Sequence, residues 1–225
     1  MPGVAEAGHE GTSQGPFGII ILAGGEGRRL GGQDKPGLVV GRRTLLGSVV
    51  AAGTAAGARQ VIVVGPDRAG LDGVSFVGEQ PPGAGPVPAL RRGLAEALPP
   101  WVAVLAADLP FLREAHLGAL LAAAAGHHGA ILVDDAGRPQ WLAGCWQTGY
   151  LRRAAAGYQG TSLRGLLGPL APALVSLAPA AGEPPPWLDC DTPEDLRRTR
   201  ELARAGVLGP VPAGPTTRYP ASPGR

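Results

Sequence analysis

Residues Gly18–Lys35 read GIIILAGGEGRRLGGQDK, an apolar run followed at once by a glycine-rich stretch that carries three cations. The run Ile19–Leu22 is continuously apolar, which is typical of a strand buried on both faces of a parallel sheet. In open sheets of this kind, ligands bind at the carboxyl ends of the strands, in the loops that lead to the next helix. The stretch Leu22–Lys35 is therefore predicted to be a ligand-binding loop.

Short β-branched runs alternate with longer Leu- and Ala-rich segments along the chain. This alternation predicts an α/β fold, in which helices cover both faces of a mostly parallel sheet. The turn Asp134–Gly137 stands between two apolar runs and indicates a small antiparallel excursion beside the parallel strands. The predicted strands are 19–22, 61–64, 102–105, 130–133 and 141–145, and the predicted helices are 45–56, 86–98, 112–124 and 193–204.

The composition predicts one folded domain between two tails. The chain has 225 residues, of which 44% are hydrophobic, and this is enough apolar material for a single large core. Glycine and proline are abundant, with 37 and 24 residues. Both ends of the chain are rich in them and show no periodic pattern of apolar residues. We expect residues 1–16 and 206–225 to be disordered tails and residues 17–205 to form the domain.

Charge and cysteine content exclude several classes of protein. The formal net charge is +2 with no long run of one sign, which gives no support for binding to nucleic acid or to a membrane surface. No signal peptide and no 18-residue apolar run are found, so a cytoplasmic location is expected. Cys145 and Cys190 lack metal-site spacing and are predicted to be buried free thiols.

The glycine loop suits a polyphosphate. Its glycines allow backbone N–H groups to approach a ligand closely, and Arg28, Arg29 and Lys35 add positive charge. The P-loop pattern fails because proline follows the lysine where Ser or Thr is required. The dinucleotide fingerprint fails because Leu30 stands where its last glycine or alanine belongs.

Two aspartates are candidate metal ligands. Asp108 follows the predicted strand 102–105, where a carboxylate can hold Mg²⁺ against nucleotide phosphates. The alternative role, capping the helix near Leu112, requires a residue closer to the helix. Asp191 precedes the helix start Thr192–Asp195, and it is predicted either as a second metal ligand opposite Asp108 or as a solvated turn residue.

The stretch Glu79–Pro86 is a stiff turn of glycine and proline that leads into a predicted helix. Such a turn holds the backbone on a fixed path, and Glu79 could accept hydrogen bonds from a base or a ribose. A plain connecting loop remains the alternative interpretation.

Taken together, these motifs resemble the molybdenum cofactor guanylyltransferases. The resemblance rests on the glycine loop with its Asp34–Lys35 end and on three further motifs that follow in the family's order. It covers nearly all of residues 17–205. The further motifs are Gly85–Pro86, Asp108–Pro110 and Asp191–Leu196.

The resemblance implies a Rossmann-like, three-layer α/β/α nucleotidyltransferase fold. It further implies an enzyme that uses GTP and Mg²⁺ to attach GMP to molybdopterin and releases pyrophosphate, with molybdoenzymes or their chaperones as candidate partners. By the same resemblance, the glycine loop and Glu79 contact the nucleotide, Lys35 binds its phosphates, Asp108 binds metal and nucleotide, and Asp191 is a second metal ligand. Arg29 is the candidate for further charge neutralisation. The loop residues concerned are Leu22, Ala23, Gly24 and Gly25.

The chain departs from the family pattern in three places. Glu79 stands where the family usually has aspartate, and Asp191 where some relatives have asparagine. The family's helix start Gly-Pro-Leu-x-Gly is here Gly-Pro-Val-Pro-Ala over Gly85–Ala89, with Pro88 at the variable position. The related cytidylyltransferases are the first alternative, and Asp34 directly before Lys35 favours guanine over them. A sugar-phosphate nucleotidyltransferase and a non-catalytic GTP- or molybdopterin-binding protein are the others.

Overall fold

The computed structural model describes residues 15–24, 32–179 and 183–204. Within them, one seven-stranded sheet has the order β5-β4-β1-β6-β8-β7-β9 and carries helices on both faces. The strands are β1 (Phe17–Leu22), β4 (Val61–Val64), β5 (Val74–Val77), β6 (Trp101–Ala106), β7 (Gly129–Val133), β8 (Pro139–Gln147) and β9 (Ala173–Ser176). The helices are α1 (Leu45–Ala55), α2 (Pro86–Glu96), α3 (Glu114–Ala123), α4 (Thr148–Gly157), α5 (Leu163–Leu167) and α6 (Pro193–Arg204).

The sheet is mostly parallel, as the apolar runs predict. Strand β1 pairs in parallel with β4 on one side and with β6 on the other. Among the described strands of this sheet, β8 is the one that runs opposite to its neighbours, and the Asp134–Gly137 turn joins it to β7. In that turn the Gly137 amide donates to the Asp134 carbonyl at 2.8 Å. The predicted antiparallel excursion is confirmed.

Alternate residues of β1 point into two different cores. Ile19 and Ile21 pack with the side chains of α1 and α3, whereas Ile20 packs with those of α2, α4 and α5. All three isoleucines are fully buried. Because both faces of β1 are covered, its residues do not alternate between apolar and polar, and this explains the continuous apolar run. The three-layer α/β/α architecture is confirmed.

A third, smaller core includes the hairpin that follows Lys35 in the chain. A two-stranded hairpin, β2 (Val39–Val40) with β3 (Arg43–Thr44), follows a 3-10 turn over Lys35–Gly37. Helix α6 packs on this hairpin, and the Arg200 Nε donates to the Val39 carbonyl at 3.1 Å. The chain's last described helix is thereby brought next to residues 35–40. The side chains that share this core are Val40, Leu45, Cys190 and Leu196.

Several boundaries differ from those predicted. Helix α3 begins at Glu114 rather than at residue 112, because the Leu112 amide donates to the Leu109 carbonyl in a separate turn. Strands β5 and β9 and helices α4 and α5 were not predicted. No helix of the described residues is long and apolar enough to cross a membrane. The expected tails lie outside the described residues apart from positions 15 and 16, so the limits of the domain stay a prediction.

Candidate active site

A cleft of about 940 Å³ opens at the carboxyl ends of β1 and β6. Leu22, the last residue of β1, lines one part of the cleft together with Ala23 and Gly24, and Asp108 lines it beyond the end of β6. Leu22 is paired with Ala106 in the parallel register, so the two strand ends lie side by side. The described residues at the start of the glycine loop therefore share the cleft with Asp108, as the strand ends predict.

Three charged side chains meet in this cleft. The Lys35 ammonium group contacts the carboxylates of both Asp108 and Asp191. The side chains of Lys35 and Asp108 are 16% and 18% exposed, whereas that of Asp191 is 44% exposed. Burial by itself would lower the pKa of Lys35, but the two carboxylates outweigh it and the pKa is raised. Lys35 is therefore a fixed positive charge at neutral pH.

Asp191 reaches the cleft because the residue before it is a buried anchor. The Cys190 side chain is fully buried in the third core, so the residues on either side of it turn outward. Directly after Asp191, Thr192 caps α6: its hydroxyl accepts from the Asp195 amide at 3.2 Å, and its own amide donates to the Asp195 carboxylate at 2.8 Å. These contacts fix the backbone that presents Asp191.

Asp189 is a third carboxylate in the cleft and is not among the predicted site residues. Partial desolvation raises its pKa, the like charges of Asp191 and Asp108 raise it further, and Lys35 opposes them. The available signal was the spacing Asp-Cys-Asp, since a buried cysteine between two carboxylates places both of them on the same outward side.

The carboxylates of Asp108 and Asp191 fit a metal ion that is bound jointly by the protein and by a nucleotide. Asp108 and Asp191 come from different parts of the chain and contact the same ammonium group, so their oxygens face one point in the cleft. In the described part of the chain, no group of three or more His, Cys, Asp or Glu side chains forms a metal cage. Mg²⁺ is commonly held by one or two carboxylates, with phosphates and water completing its shell. Two convergent aspartates meet that requirement.

Glu79 lies over Gly24 on the β1 side of the cleft. The Gly83 amide donates to the Glu79 carboxylate at 2.8 Å, which holds the side chain in place. A Cβ at position 24 would overlap that carboxylate, so a larger residue there would displace the Glu79 side chain. Gly85 directly precedes α2 as its N-cap residue and has φ +97°, a backbone conformation that favours glycine, and Pro86 takes the first helical position. Glu79, Gly83, Gly85 and Pro86 all line the cleft.

The opposite part of the cleft is formed by β8 and by segments that follow it. Its lining includes Trp141 of β8, Arg164 at the start of α5, and Trp187. Both tryptophans are half-buried, and Arg164 is exposed. The sequence predicts a strand at 141–145, but its pattern does not indicate that these three residues belong to the site. The cleft therefore extends from the end of β1 to β8 and the segments that follow β8.

Three predicted site residues, Gly25, Arg28 and Arg29, lie outside the described residues, so the geometry of the site rests on the remaining ones.

Asp34 and Pro88, which bear on the choice of base, are both absent from the cleft lining of the described chain. The Asp34 carboxylate is bound by Arg68, whose Nη2 and Nε lie 2.6 and 3.1 Å from its two oxygens. Arg68 lowers the pKa of Asp34 by this hydrogen bonding, partial burial opposes the shift, and the guanidinium charge adds to it. In the described chain, the Asp34 carboxylate is thus engaged by Arg68 and does not face the cleft.

The comparison with known families agrees with this geometry. A family model described as the MobA-like NTP transferase domain matches residues 19–174, more than two thirds of the chain. The chain belongs to this family. The matched range of the MobA-like domain contains Lys35, Glu79 and Asp108, whereas Asp191 lies beyond its end.

Individual proteins with a similar sequence or a similar structure agree with the match to the family model. A protein of Rhodobacter capsulatus named molybdenum cofactor guanylyltransferase is 32% identical over 195 residues, which cover 82% of this chain and 95% of the relative. Two solved structures show the same fold at lower identity. The 2-C-methyl-D-erythritol 4-phosphate cytidylyltransferase of Thermus thermophilus is 24% identical with a TM-score of 0.64, covering 84% of this chain and 99% of that one. A molybdopterin-guanine dinucleotide biosynthesis protein A from Archaeoglobus fulgidus is 18% identical with a TM-score of 0.64, covering 83% and 98%.

Proposed function

We propose that this protein transfers GMP from GTP to molybdopterin, forming molybdopterin guanine dinucleotide and releasing pyrophosphate. The observation that carries the proposal is the meeting of Lys35, Asp108 and Asp191 in one cleft. It is supported by the similarity to the Rhodobacter capsulatus guanylyltransferase, which extends over nearly the whole of that relative.

We place the two substrates on either side of this centre, within the cleft of about 940 Å³. We place the nucleotide on the β1 side, where Leu22, Ala23, Gly24 and Glu79 line the wall. Backbone N–H groups and a carboxylate are the partners that a base and a ribose require. The acceptor takes the β8 side, where an indole ring can stack on a planar heterocycle and a guanidinium can bind a phosphate.

In this arrangement the terminal phosphate oxygen of molybdopterin attacks the α-phosphorus of GTP, and the bond from that phosphorus to the bridging oxygen of the β-phosphate breaks. The Lys35 ammonium binds the phosphates and neutralises charge that develops on them. Asp108 and Asp191 would hold Mg²⁺, which when bound polarises the phosphate oxygens. Alignment and charge neutralisation are the main requirements of such a reaction. Arg29 and Gly25 are proposed to contribute to the same phosphate site.

Two further assignments complete the proposal. GTP and the pterin are intracellular metabolites, so we place the reaction in the cytoplasm. Molybdoenzymes or their chaperones would receive the dinucleotide product.

The test is pyrophosphate release by the full chain in the presence of GTP, Mg²⁺ and molybdopterin. We expect Asp108→Ala and Lys35→Ala each to lower the turnover rate by about 10²–10³-fold, as loss of one charge-stabilising group typically does. Asp72→Asn, a carboxylate change on an exposed loop away from the cleft, serves as the control and should leave turnover unchanged. Binding of GTP without pyrophosphate release would instead identify a binding protein.

A further inference from the structure

The ion pair between Asp34 and Arg68 joins two loops at the edge of the cleft. Arg68 meets the carboxylate with two nitrogens, at 2.6 and 3.1 Å, and its third nitrogen donates to the Pro66 carbonyl at 3.0 Å. The Arg68 side chain is only 14% exposed, although that of Asp34 is 58% exposed. An arginine held at all three nitrogens has a defined orientation, unlike most surface arginines.

The pair connects neighbouring parts of the sheet that are distant in sequence. Arg68 follows β4, and Asp34 lies at the far end of the segment that follows β1, the strand paired with β4. At the near end of that segment, the Ala23 amide donates to the Val64 carbonyl at 2.8 Å. The segment is therefore attached to β4 and its loop at both of its described ends.

Lys35 is the residue directly after Asp34, and its position depends on this attachment. The 3-10 turn over Lys35–Gly37 begins at Asp34, whose carbonyl accepts from the Gly37 amide at 3.0 Å. From there the lysine side chain must reach a point between two carboxylates that belong to other parts of the chain. A flexible four-carbon side chain reaches such a point reproducibly only when its backbone is fixed.

We propose that Arg68 is a positioning residue that holds Lys35 in place through Asp34. The proposal rests on the proposed role of Lys35 in the transfer reaction. It also gives Asp34 a role other than base selection: the aspartate before the lysine fixes the phosphate-binding group, and the rate of transfer depends on it. A misplacement of about 1 Å in a catalytic group can lower a rate about 100-fold, so the fixing contact matters for turnover.

The test is a double-mutant cycle on turnover of the full-length protein. Arg68→Ala is expected to lower kcat by about 10- to 100-fold while the ratio of GTP to CTP turnover stays unchanged. Arg68→Lys keeps the charge but loses the two-nitrogen contact, and it should recover part of the rate. In a Lys35→Ala background, Arg68→Ala should cause no further loss, because the residue through which it acts is already gone.

The matched control is Arg92→Ala. Arg92 forms a 2.6 Å pair with Glu96 within α2, and neither residue lines the cleft. Surface ion pairs of this kind contribute little to stability, so the turnover of Arg92→Ala should equal that of the unmodified protein. Equal urea midpoints for the Arg68 variants and the parent protein would show that the rate loss is not a loss of folding.

The outcomes separate this inference from the proposed function. If Lys35→Ala is as active as the parent protein, the proposed function of Lys35 is wrong. If Lys35→Ala is inactive but Arg68→Ala behaves like Arg92→Ala, the positioning role alone is wrong. The positioning role is also contradicted if Arg68→Ala lowers kcat by the same factor with and without Lys35, or if it changes the choice of nucleotide.

Discussion

Replacement of Gly24 by alanine is expected to weaken nucleotide binding by displacing Glu79. The new Cβ would overlap one carboxylate oxygen of Glu79 and would lie 2.6 Å from its carboxyl carbon. To restore the 3.4 Å of ordinary contact, the overlapping carboxylate oxygen must recede by about 2 Å. A movement of that size along the 2.8 Å bond from the Gly83 amide takes it beyond hydrogen-bonding range.

The size of the effect follows from the bond that Glu79 is proposed to make with the nucleotide. A hydrogen bond to a charged group is worth about 1.5–3 kcal/mol, so its loss should weaken GTP binding about 10- to 140-fold. The assay is titration calorimetry with GTP and Mg²⁺. Gly118→Ala is the control, because a Cβ at that position in α3 meets nothing within 4 Å.

A second variant isolates the mechanism. Glu79→Ala removes both the proposed hydrogen bond to the nucleotide and the carboxylate that the new Cβ would overlap. Adding Gly24→Ala to this variant should therefore cause little further loss of GTP affinity. The reasoning is refuted if Gly24→Ala binds GTP as tightly as the parent protein. It is also refuted if Gly24→Ala weakens binding equally in the presence and the absence of the Glu79 carboxylate.

Three other predictions concern the acceptor side, the packing of α2 and the thiols. Trp141→Ala should raise the KM for molybdopterin about 10-fold by removing a stacking surface, with the KM for GTP unchanged. Steady-state kinetics measures both values, and equal increases in the two would contradict the prediction. Gly93→Ala should lower the free energy of unfolding in urea by about 1–3 kcal/mol, because its Cβ would lie 2.5 Å from a buried isoleucine of β1. Gly118→Ala, in open space, should instead be neutral or stabilising by up to about 1 kcal/mol, and equal effects of the two would contradict the packing. Burial raises the pKa of Cys145 to about 12 and also raises that of Cys190, so neither thiol should react with a thiol reagent at pH 8 until urea is added; rapid reaction of the folded chain would contradict their burial.

The sequence predicts the part of the site that depends on strand ends. Asp108 and the residues after β1 could be placed together because parallel strands that are both buried present their carboxyl ends at one edge. That inference needs no knowledge of side-chain packing. It therefore holds although the helix and strand boundaries differ by a few residues.

The position of Asp191 could be expected only as one of two alternatives. Its contact with Lys35 spans 156 positions and depends on α6 packing over the β2–β3 hairpin through the buried Cys190. Neither the cysteine nor the hairpin has a pattern that indicates this contact. The long-range packing of a small core depends on how the shapes of its side chains fit together, and amino-acid composition and hydrophobic periodicity do not reveal this fit.

The β8 side of the cleft was missed for a related reason. Strand β8 was predicted, but which of its residues face the cleft depends on its register with β7, and that register shifts between Ile131 and Val133. A shift of one residue moves every side chain to the other face, so Trp141 could not be assigned. The strands β5 and β9 have only four residues each and half-exposed edges, which weakens their apolar signal.

The most direct test of the proposed function is the identity of the dinucleotide product. The full-length protein is incubated with molybdopterin, Mg²⁺ and an equimolar mixture of GTP, CTP, ATP and a thymidine nucleotide, and the products are identified by mass spectrometry. We predict molybdopterin guanine dinucleotide with one pyrophosphate for each molecule formed, and no product when EDTA removes the metal. A cytosine dinucleotide as the main product, or GTP binding without any dinucleotide, would contradict the assignment.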